Sequence, residues 1–245
     1  MTDVRLAMWS GPRNLSTALM RSFGNRPDTV VVDEPLYAHY LLTTGIDHPG
    51  RDDILAAQPH DWRVVAAELT GPVPRGRSVY YQKHMTHHLT PDVGRDWLAG
   101  VTNAFLVRDP AGVVASYAKV RGEPTLEDLG LPQQVEIFHT CADRLGVAPP
   151  VVDAADLLAD PPGVLARLCA RVGIPFDEAM LHWPPGARPD DGVWAPHWYA
   201  SVEASTGFGP PRDEAPEVPD RLRPLLERCV PYYEELRPYR IAAGT

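Results

Sequence analysis

The stretch WSGPRNLSTALMRSF, residues 9–23, directly follows a short apolar run at residues 4–8. An apolar run, a tight polar turn and an amphipathic stretch in this order predict a strand, a loop and a helix that starts near Asn14. The backbone N–H groups and the dipole at such a helix start favour an anion. The candidate ligands of that anion lie in and beside the turn: Ser10, Gly11, Arg13, Asn14, Leu15, Ser16 and Thr17. A plain connection capped by Asn14 or Ser16 is the alternative interpretation.

The turn lacks the lysine of the usual Walker loop, GxxxxGK[ST]. With Thr17 aligned to the last position, Ser16 stands at the lysine position and Leu15 at the glycine position before it. This difference argues against a loop that binds ATP or GTP with magnesium. The run VVVDE at residues 30–34 nevertheless imitates a Walker B strand, so a P-loop kinase of a small metabolite stays an alternative.

The composition is that of an ordinary globular protein, which we expect to form a single domain over residues 1–245. A net charge of −9 argues against general binding to nucleic acid or to anionic membranes. The three cysteines have neither metal-binding nor disulfide spacing. Because no apolar run reaches the ~20 residues of a membrane helix, we expect a soluble, cytoplasmic protein with reduced cysteines.

Further apolar runs and amphipathic stretches alternate along the chain. Strands are predicted at residues 29–35, 78–83 and 103–108 and within residues 149–158, with helices between and after them. Such alternation predicts an α/β fold with a mostly parallel central sheet flanked by helices. Many of the 27 prolines follow Trp183, so this C-terminal part is predicted to run as ordered loops with few regular elements.

The segment FLVRDPAGVVASYAK, residues 105–119, is a second candidate anion site. Arg108 is predicted at the carboxyl-terminal tip of a strand, where ligands collect in open α/β sheets. Ser116 follows on the next helix, so the two side chains can hold one phosphate from two sides. The alternative is that Arg108 forms a surface ion pair and that Ser116 is a small packing residue.

Together these segments resemble the sulfotransferase family. Residues 10–17, SGPRNLST, resemble the family's loop for the 5′-phosphosulfate of 3′-phosphoadenosine 5′-phosphosulfate (PAPS), and Arg108 with Ser116 resembles its 3′-phosphate clamp. Residues 190–201, DDGVWAPHWYAS, are similar to its C-terminal cofactor segment, with Gly192 and Trp194 in the matching places. The resemblance implies a P-loop-type three-layer fold, PAPS as co-substrate and 3′,5′-diphosphoadenosine as product.

Residues 82–89, QKHMTHHL, depart from the family pattern at the catalytic base. Cytosolic members carry lysine-x-histidine after a central strand, whereas this chain keeps Lys83 but has Met85 in the histidine's place. Some bacterial members use a glutamate just after the second strand, and Glu34 matches that situation. We therefore predict Glu34 as the base, His84 as the second choice, and Lys83 as the cation that stabilises the leaving phosphate oxygen.

A structural ion pair of Glu34 with Arg13 or Lys83 is the alternative for the glutamate. His87 and His88 follow in the same segment, but they lack an evident paired carboxylate or cysteine, so we expect no bound metal. The transferred sulfuryl group carries fewer charges than a γ-phosphoryl group. Preorganised hydrogen-bond donors can therefore stabilise its transfer without magnesium.

The leading hypothesis is an enzyme that moves a sulfuryl group from PAPS to a small molecule, with a hydroxyl group favoured over an amine as the acceptor. Tyr37, His39 and Tyr40 are candidate contacts of that acceptor. The alternatives are the P-loop kinase, which would use ATP and magnesium, and a nucleotide-binding relative without catalysis. Neither nucleic acid nor a membrane is expected as a partner.

Overall fold

The computed structural model describes residues 3–211 and 216–241 and is built around a sheet of five parallel strands. The strand order is β2–β3–β1–β4–β5. The strands are β1 (Val4–Ser10), β2 (Thr29–Asp33), β3 (Val79–Met85), β4 (Thr102–Val107) and β5 (Val151–Asp153). The predicted α/β fold with a mostly parallel sheet is confirmed.

Helices accompany this sheet along the whole chain. Within the described residues they are α1 (Ser16–Gly24), α2 (Tyr37–Thr44), α3 (Arg51–Ala57), α4 (Trp62–Thr70), α5 (Pro110–Arg121), α6 (Leu126–Leu129), α7 (Leu131–Leu145), α8 (Ala154–Ala159), α9 (Pro161–Val172), α10 (Ala195–Trp198), α11 (Ala200–Glu203) and α12 (Arg223–Leu236). Among the described residues between Trp183 and α12, two α-helices of four residues each interrupt the loops. The high proline content predicted this loop-rich region.

Both faces of the sheet are buried, which is typical of parallel sheets. Along β1, Met8 packs into one core layer together with Phe23 of α1, whereas Trp9 packs into the other layer with Phe138 of α7. This alternation follows from the two-residue period of a strand. Neighbouring residues of a strand therefore reach opposite layers, and this decides which candidate site residues can meet.

The chain reverses its direction across the sheet at β1. It runs from β1 to β2 on one side, returns to β3, and then crosses to β4 and β5 on the other side. In open α/β sheets, ligands bind outside the carboxyl ends of the strands at such a switch point. β1 ends there at Ser10, which lies in register with Met85 of β3 and Leu106 of β4. The turn that follows Ser10 thus opens at the position where the topology favours a ligand.

Two element boundaries differ from the sequence-based expectation. The first helix begins at Ser16 rather than near Asn14, because Leu15 has a left-handed backbone with φ of 63°. The second strand ends at Asp33 rather than at residue 35, because Glu34 has φ of 41°. Both differences place candidate functional residues on irregular backbone.

Two kinds of feature are absent from the residues that the structure describes. Nowhere in residues 3–211 and 216–241 is there a helix with the length and apolar character to cross a bilayer. The same residues contain no group of three or more histidine, cysteine or acidic side chains that could hold a metal ion. The cysteines Cys141, Cys169 and Cys229 are buried and free.

Gly130, between α6 and α7, supports the segment that follows β3. Its φ is 66°, and a Cβ atom there would lie 2.5 Å from Thr86 Oγ1. We expect Gly130→Ala to lower the free energy of unfolding by about 2–3 kcal/mol, because backbone strain and steric overlap add. Urea denaturation measures this change.

Gly146→Ala is the matched control, because Gly146 has the same φ of 66° but nothing within 4 Å of its Cβ position. Backbone strain alone should cost the control about 1 kcal/mol. Equal losses in the two variants would contradict the importance of the contact with Thr86.

Candidate active site

The turn between β1 and α1 has an uncommon backbone conformation. Arg13 and Leu15 both have left-handed φ values, 65° and 63°, which cost a non-glycine residue about 1–3 kcal/mol each. Leu15 occupies the N-cap position of α1, so no side chain caps this helix. The backbone N–H groups at the helix start are therefore left for another acceptor, as in loops that bind anions.

Contacts with buried parts of the chain hold this turn in place. Asn14 donates from Nδ2 to the carbonyl oxygen of Leu106 in β4, at 3.3 Å. A Cβ atom on Gly11 would lie 2.5 Å from the carbonyl oxygen of Leu129, so the turn requires glycine at this point. Ser10 is fully buried, and its hydroxyl group and Asn14 Oδ1 have no hydrogen-bond partner among the described residues. Ser10 and Gly11 lie outside the cavity described below and shape the turn.

The two anion sites predicted from the sequence form one constellation. Arg13 donates from Nε to Ser116 Oγ at 3.0 Å, and Arg108 donates from Nη1 to the carbonyl oxygen of Arg13 at 2.6 Å. Arg108 also passes Gly112 so closely that a Cβ atom there would lie 2.9 Å from Arg108 Nε. Two guanidinium groups thus meet the start of α1 at the carboxyl edge of the sheet. Guanidinium groups suit the bidentate recognition of phosphate.

A buried set of charged side chains lies at the ends of β2 and β3. We call Asp33, Glu34, Lys83 and Tyr199 the Lys83 cluster. Lys83 Nζ donates to Asp33 Oδ1 at 2.8 Å, to Glu34 Oε1 at 2.7 Å and to the Tyr199 hydroxyl at 2.6 Å. That hydroxyl donates in turn to Asp33 Oδ2 at 2.6 Å. Because Lys83 is only 1% exposed, its charge depends on these partners for stabilisation.

The backbone at Glu34 explains how two successive carboxylates reach one ammonium group. In a regular strand, Asp33 and Glu34 would point to opposite faces of the sheet. The φ of 41° at Glu34 ends β2, and the Glu34 carboxylate contacts Lys83 beside that of Asp33. Gln58 stabilises this bend by donating from Nε2 to the carbonyl oxygen of Glu34 at 3.1 Å.

Burial and charge determine the protonation of the Lys83 cluster. Burial raises the pKa of Glu34, although the charge of Lys83 opposes this effect. Burial alone would lower the pKa of Lys83, but the charges of Asp33 and Glu34 hold that pKa well above its usual value. Burial, together with the charge of Asp33, raises the pKa of Tyr199 well above its usual value. At neutral pH Lys83 is a cation, Tyr199 keeps its proton, and Glu34 binds a proton more strongly than an exposed glutamate.

The turn, the arginines and three members of the Lys83 cluster, Glu34, Lys83 and Tyr199, line one cavity of about 460 Å³, a size typical of small-molecule sites. The predicted site residues that line it are Arg13, Asn14, Leu15, Ser16, Thr17, Glu34, Lys83, Arg108 and Ser116. Aromatic and imidazole side chains form further walls: Tyr37, His48, His87, His88, Trp198 and Phe208. Burial lowers the pKa of His87 to about 3 and that of His88 well below its usual value, so both rings are neutral.

His84, the second candidate for the base, does not reach this cavity. It precedes Met85 in β3 and points to the sheet face opposite to Lys83, because side chains alternate along a strand. Its ring stacks on Trp9 with 4.2 Å between centroids, and burial lowers its pKa to about 3. We therefore correct the prediction and drop His84 as a base.

Gly192 and Trp194, predicted as cofactor contacts, lie behind the Lys83 cluster and do not line the cavity. The Gly192 N–H donates to Asp33 Oδ2 at 3.1 Å, and Trp194 Nε1 donates to the Tyr199 hydroxyl at 3.2 Å. A Cβ atom on Gly192 would overlap the indole ring of Trp194. The segment thus supports the cluster from behind.

Sequence reasoning missed the contribution of Asp33 and Tyr199. Asp33 precedes Glu34 in a run that resembled a Walker B strand, and only its contact with Lys83 reveals its place. Tyr199 carries no local sequence signal, because its partners lie in β2 and β3. Of the proposed acceptor contacts, Tyr37 lines the cavity, whereas His39 is hydrogen-bonded to Asp92 at 3.1 Å outside the cavity lining.

Comparison with known proteins shows the family to which the chain belongs. The family described as "Sulfotransferase domain" matches residues 4–239, and the chain belongs to this family. The fold is similar to that of a sulfotransferase from Alicyclobacillus acidocaldarius (TM-score 0.57, 13% identity, 99% of this chain and 98% of that one). It is also similar to the sulfotransferase domain from the curacin biosynthetic pathway (TM-score 0.55, 15% identity, 94% and 97%). The predicted sulfotransferase resemblance and P-loop-type fold are thus confirmed.

A curated relative has a name of a different kind. Over 230 residues the chain is 40% identical to the branched-chain-amino-acid aminotransferase-like protein 1 of Arabidopsis thaliana, which covers 94% of this chain. The chain spans only 41% of the length of that relative. The name of the longer protein therefore does not assign an activity to the part that matches here.

The Lys83 cluster predicts unequal effects of removing its two carboxylates. Asp33 accepts hydrogen bonds from Lys83, Tyr199 and the Gly192 N–H, so Asp33→Asn should lower the free energy of unfolding by about 3 kcal/mol. Burial already disfavours the charged form of Glu34, so Glu34→Gln should cost less than about 1 kcal/mol. Urea denaturation at pH 7 compares the two variants, and a larger loss in Glu34→Gln would refute this assignment.

Proposed function

We propose that the protein is a sulfotransferase that uses PAPS as donor and the hydroxyl group of a small molecule as acceptor. The observation that carries the proposal is the arrangement in a single cavity of two guanidinium groups, an uncapped helix start and a buried glutamate–lysine pair. The first two features suit a donor with two anionic groups, a 5′-phosphosulfate and a 3′-phosphate. The third supplies a proton acceptor beside a cation.

The N–H and O–H groups that line the cavity suit the anionic groups of PAPS. The resemblance to the family implies that the loop at residues 10–17 holds the 5′-phosphosulfate and that Arg108 and Ser116 hold the 3′-phosphate. The start of α1 lacks a side-chain cap, and Arg13 donates to Ser116, so the two proposed phosphate sites adjoin. When bound, PAPS supplies an activated sulfuryl group and a phosphate leaving group.

Glu34 has one oxygen available for the acceptor's proton. Oε1 accepts a hydrogen bond from Lys83, and Oε2 lies 3.9 Å from His88 Nδ1. We therefore assign Oε2 as the atom that takes the proton from the attacking hydroxyl group. The raised pKa of Glu34 makes this transfer more favourable, because a general base works best when its pKa lies near the working pH.

Lys83 provides a lysine ammonium group beside a turn that contains Arg13 but no lysine. Its ammonium group lines the cavity, and its raised pKa keeps it charged at every pH of interest. We propose that it stabilises the negative charge that develops on the leaving phosphate oxygen. The aromatic walls Tyr37, Trp198 and Phe208 then contact the uncharged parts of the bound molecules.

The kinase alternative is less well supported, because Asp33 is already engaged. A Walker B aspartate helps to hold magnesium, but the Asp33 carboxylate here accepts hydrogen bonds from Lys83, Tyr199 and Gly192. The third hypothesis, a nucleotide binder without catalysis, predicts binding of 3′,5′-diphosphoadenosine without turnover of PAPS.

Donor recognition is tested by calorimetry with 3′,5′-diphosphoadenosine and with ATP and magnesium. We expect tighter binding of the diphosphate, and Arg108→Ala should weaken it about 10- to 100-fold, because a charge-assisted hydrogen bond is lost. Arg144→Ala is the control, since Arg144 forms an ion pair with the exposed Asp96. Preference for ATP with magnesium would support the kinase, and failure of the diphosphate to bind would sink the proposal.

The role of Glu34 is tested by Glu34→Gln in a PAPS turnover assay over a panel of small hydroxyl compounds. Loss of the proton acceptor should lower kcat about 10²- to 10⁴-fold, with the affinity for 3′,5′-diphosphoadenosine unchanged. In the wild-type enzyme kcat should fall with decreasing pH as Glu34 becomes protonated, with a midpoint above the usual glutamate pKa of 4.5. Unchanged turnover in the variant would exclude Glu34 as the base.

A further inference from the structure

The ammonium group of Lys83 has a full set of hydrogen-bond acceptors. Its three protons match three acceptors within 2.8 Å: Asp33 Oδ1, Glu34 Oε1 and the hydroxyl oxygen of Tyr199. Two of these acceptors are carboxylates, and the third is a neutral phenol. For Lys83 to donate to a leaving oxygen in the cavity, it must give up one of these three hydrogen bonds.

Glu34 is the partner that the reaction itself releases. When its carboxylate takes up a proton, it loses its negative charge and its attraction for Lys83 falls. Asp33 takes no part in the proton transfer and lies deeper, since it is 4% exposed and is also bound by the Gly192 N–H. If Asp33 were the only remaining partner, Lys83 would be drawn toward the end of β2 and away from the leaving oxygen.

Tyr199, the third partner of Lys83, counteracts this displacement. Its hydroxyl accepts a hydrogen bond from Lys83 at 2.6 Å and donates one to Asp33 Oδ2 at 2.6 Å. Trp194 Nε1 donates to the hydroxyl oxygen of Tyr199 at 3.2 Å, and Lys83 Nζ lies 4.9 Å from the centroid of the Tyr199 ring. Tyr199 lines the cavity with Lys83 and is only 4% exposed, so its position is well defined.

We infer that Tyr199 is a positioning residue for the reaction: its hydroxyl group holds the Lys83 ammonium at the cavity while the contact with Glu34 breaks. This inference rests on the proposed sulfotransferase function. The proton balance is closed within the named groups. The acceptor oxygen forms a bond to sulfur while the bond between sulfur and the bridging phosphate oxygen breaks, and 3′,5′-diphosphoadenosine leaves with that electron pair. The acceptor's proton moves to Glu34 Oε2, and Lys83 keeps its three protons and redirects one of them from Glu34 Oε1 to the leaving oxygen. Tyr199 keeps its proton to Asp33 throughout.

Tyr199→Phe tests the inference by removing one hydroxyl group while keeping the ring. We expect kcat to fall about 10- to 100-fold, whereas the KM for PAPS and the affinity for 3′,5′-diphosphoadenosine should change less than about twofold, because neither guanidinium group is touched. A purely structural role would instead lower the affinity and the stability together.

The pH profile provides a readout that structural damage alone would not produce. The groups that face the Glu34 carboxylate are Lys83 of β3, Asp33 of β2, Tyr199 and, 3.9 Å away, the neutral His88. Without the hydroxyl group, Asp33 loses a donor and attracts Lys83 more strongly away from Glu34. The acid limb of the kcat profile should therefore shift to higher pH.

Tyr233→Phe is the matched control. The Tyr233 hydroxyl donates to Asp153 Oδ2 at 2.6 Å, the same distance as between Tyr199 and Asp33, but it is not part of the cavity lining. This variant should leave kcat, KM and the pH profile unchanged. Unfolding in urea, measured for both variants, shows whether the two losses of a tyrosine–aspartate hydrogen bond are comparable.

A second measurement separates the inference from the proposed function. ¹³C NMR of the glutamate carboxyl groups, with Glu34 assigned by comparison with Glu34→Gln, gives the pKa of Glu34 in wild type and Tyr199→Phe without any turnover. Absence of PAPS turnover in the wild type would overturn the sulfotransferase proposal alone. A Glu34 pKa that does not rise in the variant, or an unchanged kcat, would overturn the role of Tyr199.

If Tyr199→Phe does not fold, 3,5-difluorotyrosine installed at position 199 retains the ring and the hydroxyl group. Its more acidic hydroxyl accepts more weakly from Lys83, so kcat should fall in the same direction as expected for phenylalanine. An unchanged kcat with this residue would also contradict the inference.

Discussion

The burial of the Lys83 ammonium group is the constraint on which the site depends. A cation that is only 1% exposed requires acceptors for all its protons and compensation of its charge. The carboxylates come from the end of β2, and the third acceptor, Tyr199, comes from the segment between α10 and α11. One charge therefore fixes the left-handed bend at Glu34 and the position of a loop-rich C-terminal region that has little regular structure of its own.

The cavity has one region with mixed charges at the Lys83 cluster and one region with positive charges at the arginines. With Glu34 ionised, the Lys83 cluster carries one positive and two negative charges, while Arg13 and Arg108 supply two positive charges beside the start of α1. His87 adds no charge, because burial keeps its pKa at about 3. Anions are therefore attracted to the guanidinium groups, and the carboxylate nearby binds a proton more strongly because it is buried.

The sequence predicts what local periodicity encodes, and it fails where distant parts of the chain meet. The strands, the uncapped turn and the Arg108–Ser116 pair each lie within one continuous segment, so their patterns are visible directly. Lys83 and His84 are adjacent in sequence, yet the two-residue period of the strand places their side chains on opposite faces of the sheet. The sequence does not show which of these faces borders the cavity. Tyr199 has no such pattern, since its hydrogen-bond partners Lys83 and Asp33 lie more than a hundred positions away in the sequence.

Lys83 on β3 lies next to the proposed base, Glu34, whereas a lysine in the turn would not. Met8 and Lys83 are register partners in adjacent strands, so the ammonium group rises from the sheet beneath the turn. There it shares an oxygen contact with Glu34, whereas a Walker lysine would contact the anion from within the loop. In the proposed reaction, one carboxylate both restrains the cation and accepts the proton, so protonation of the base and release of the cation become a single event. A cation that lies beside the proposed base is thus compatible with a turn that has no lysine.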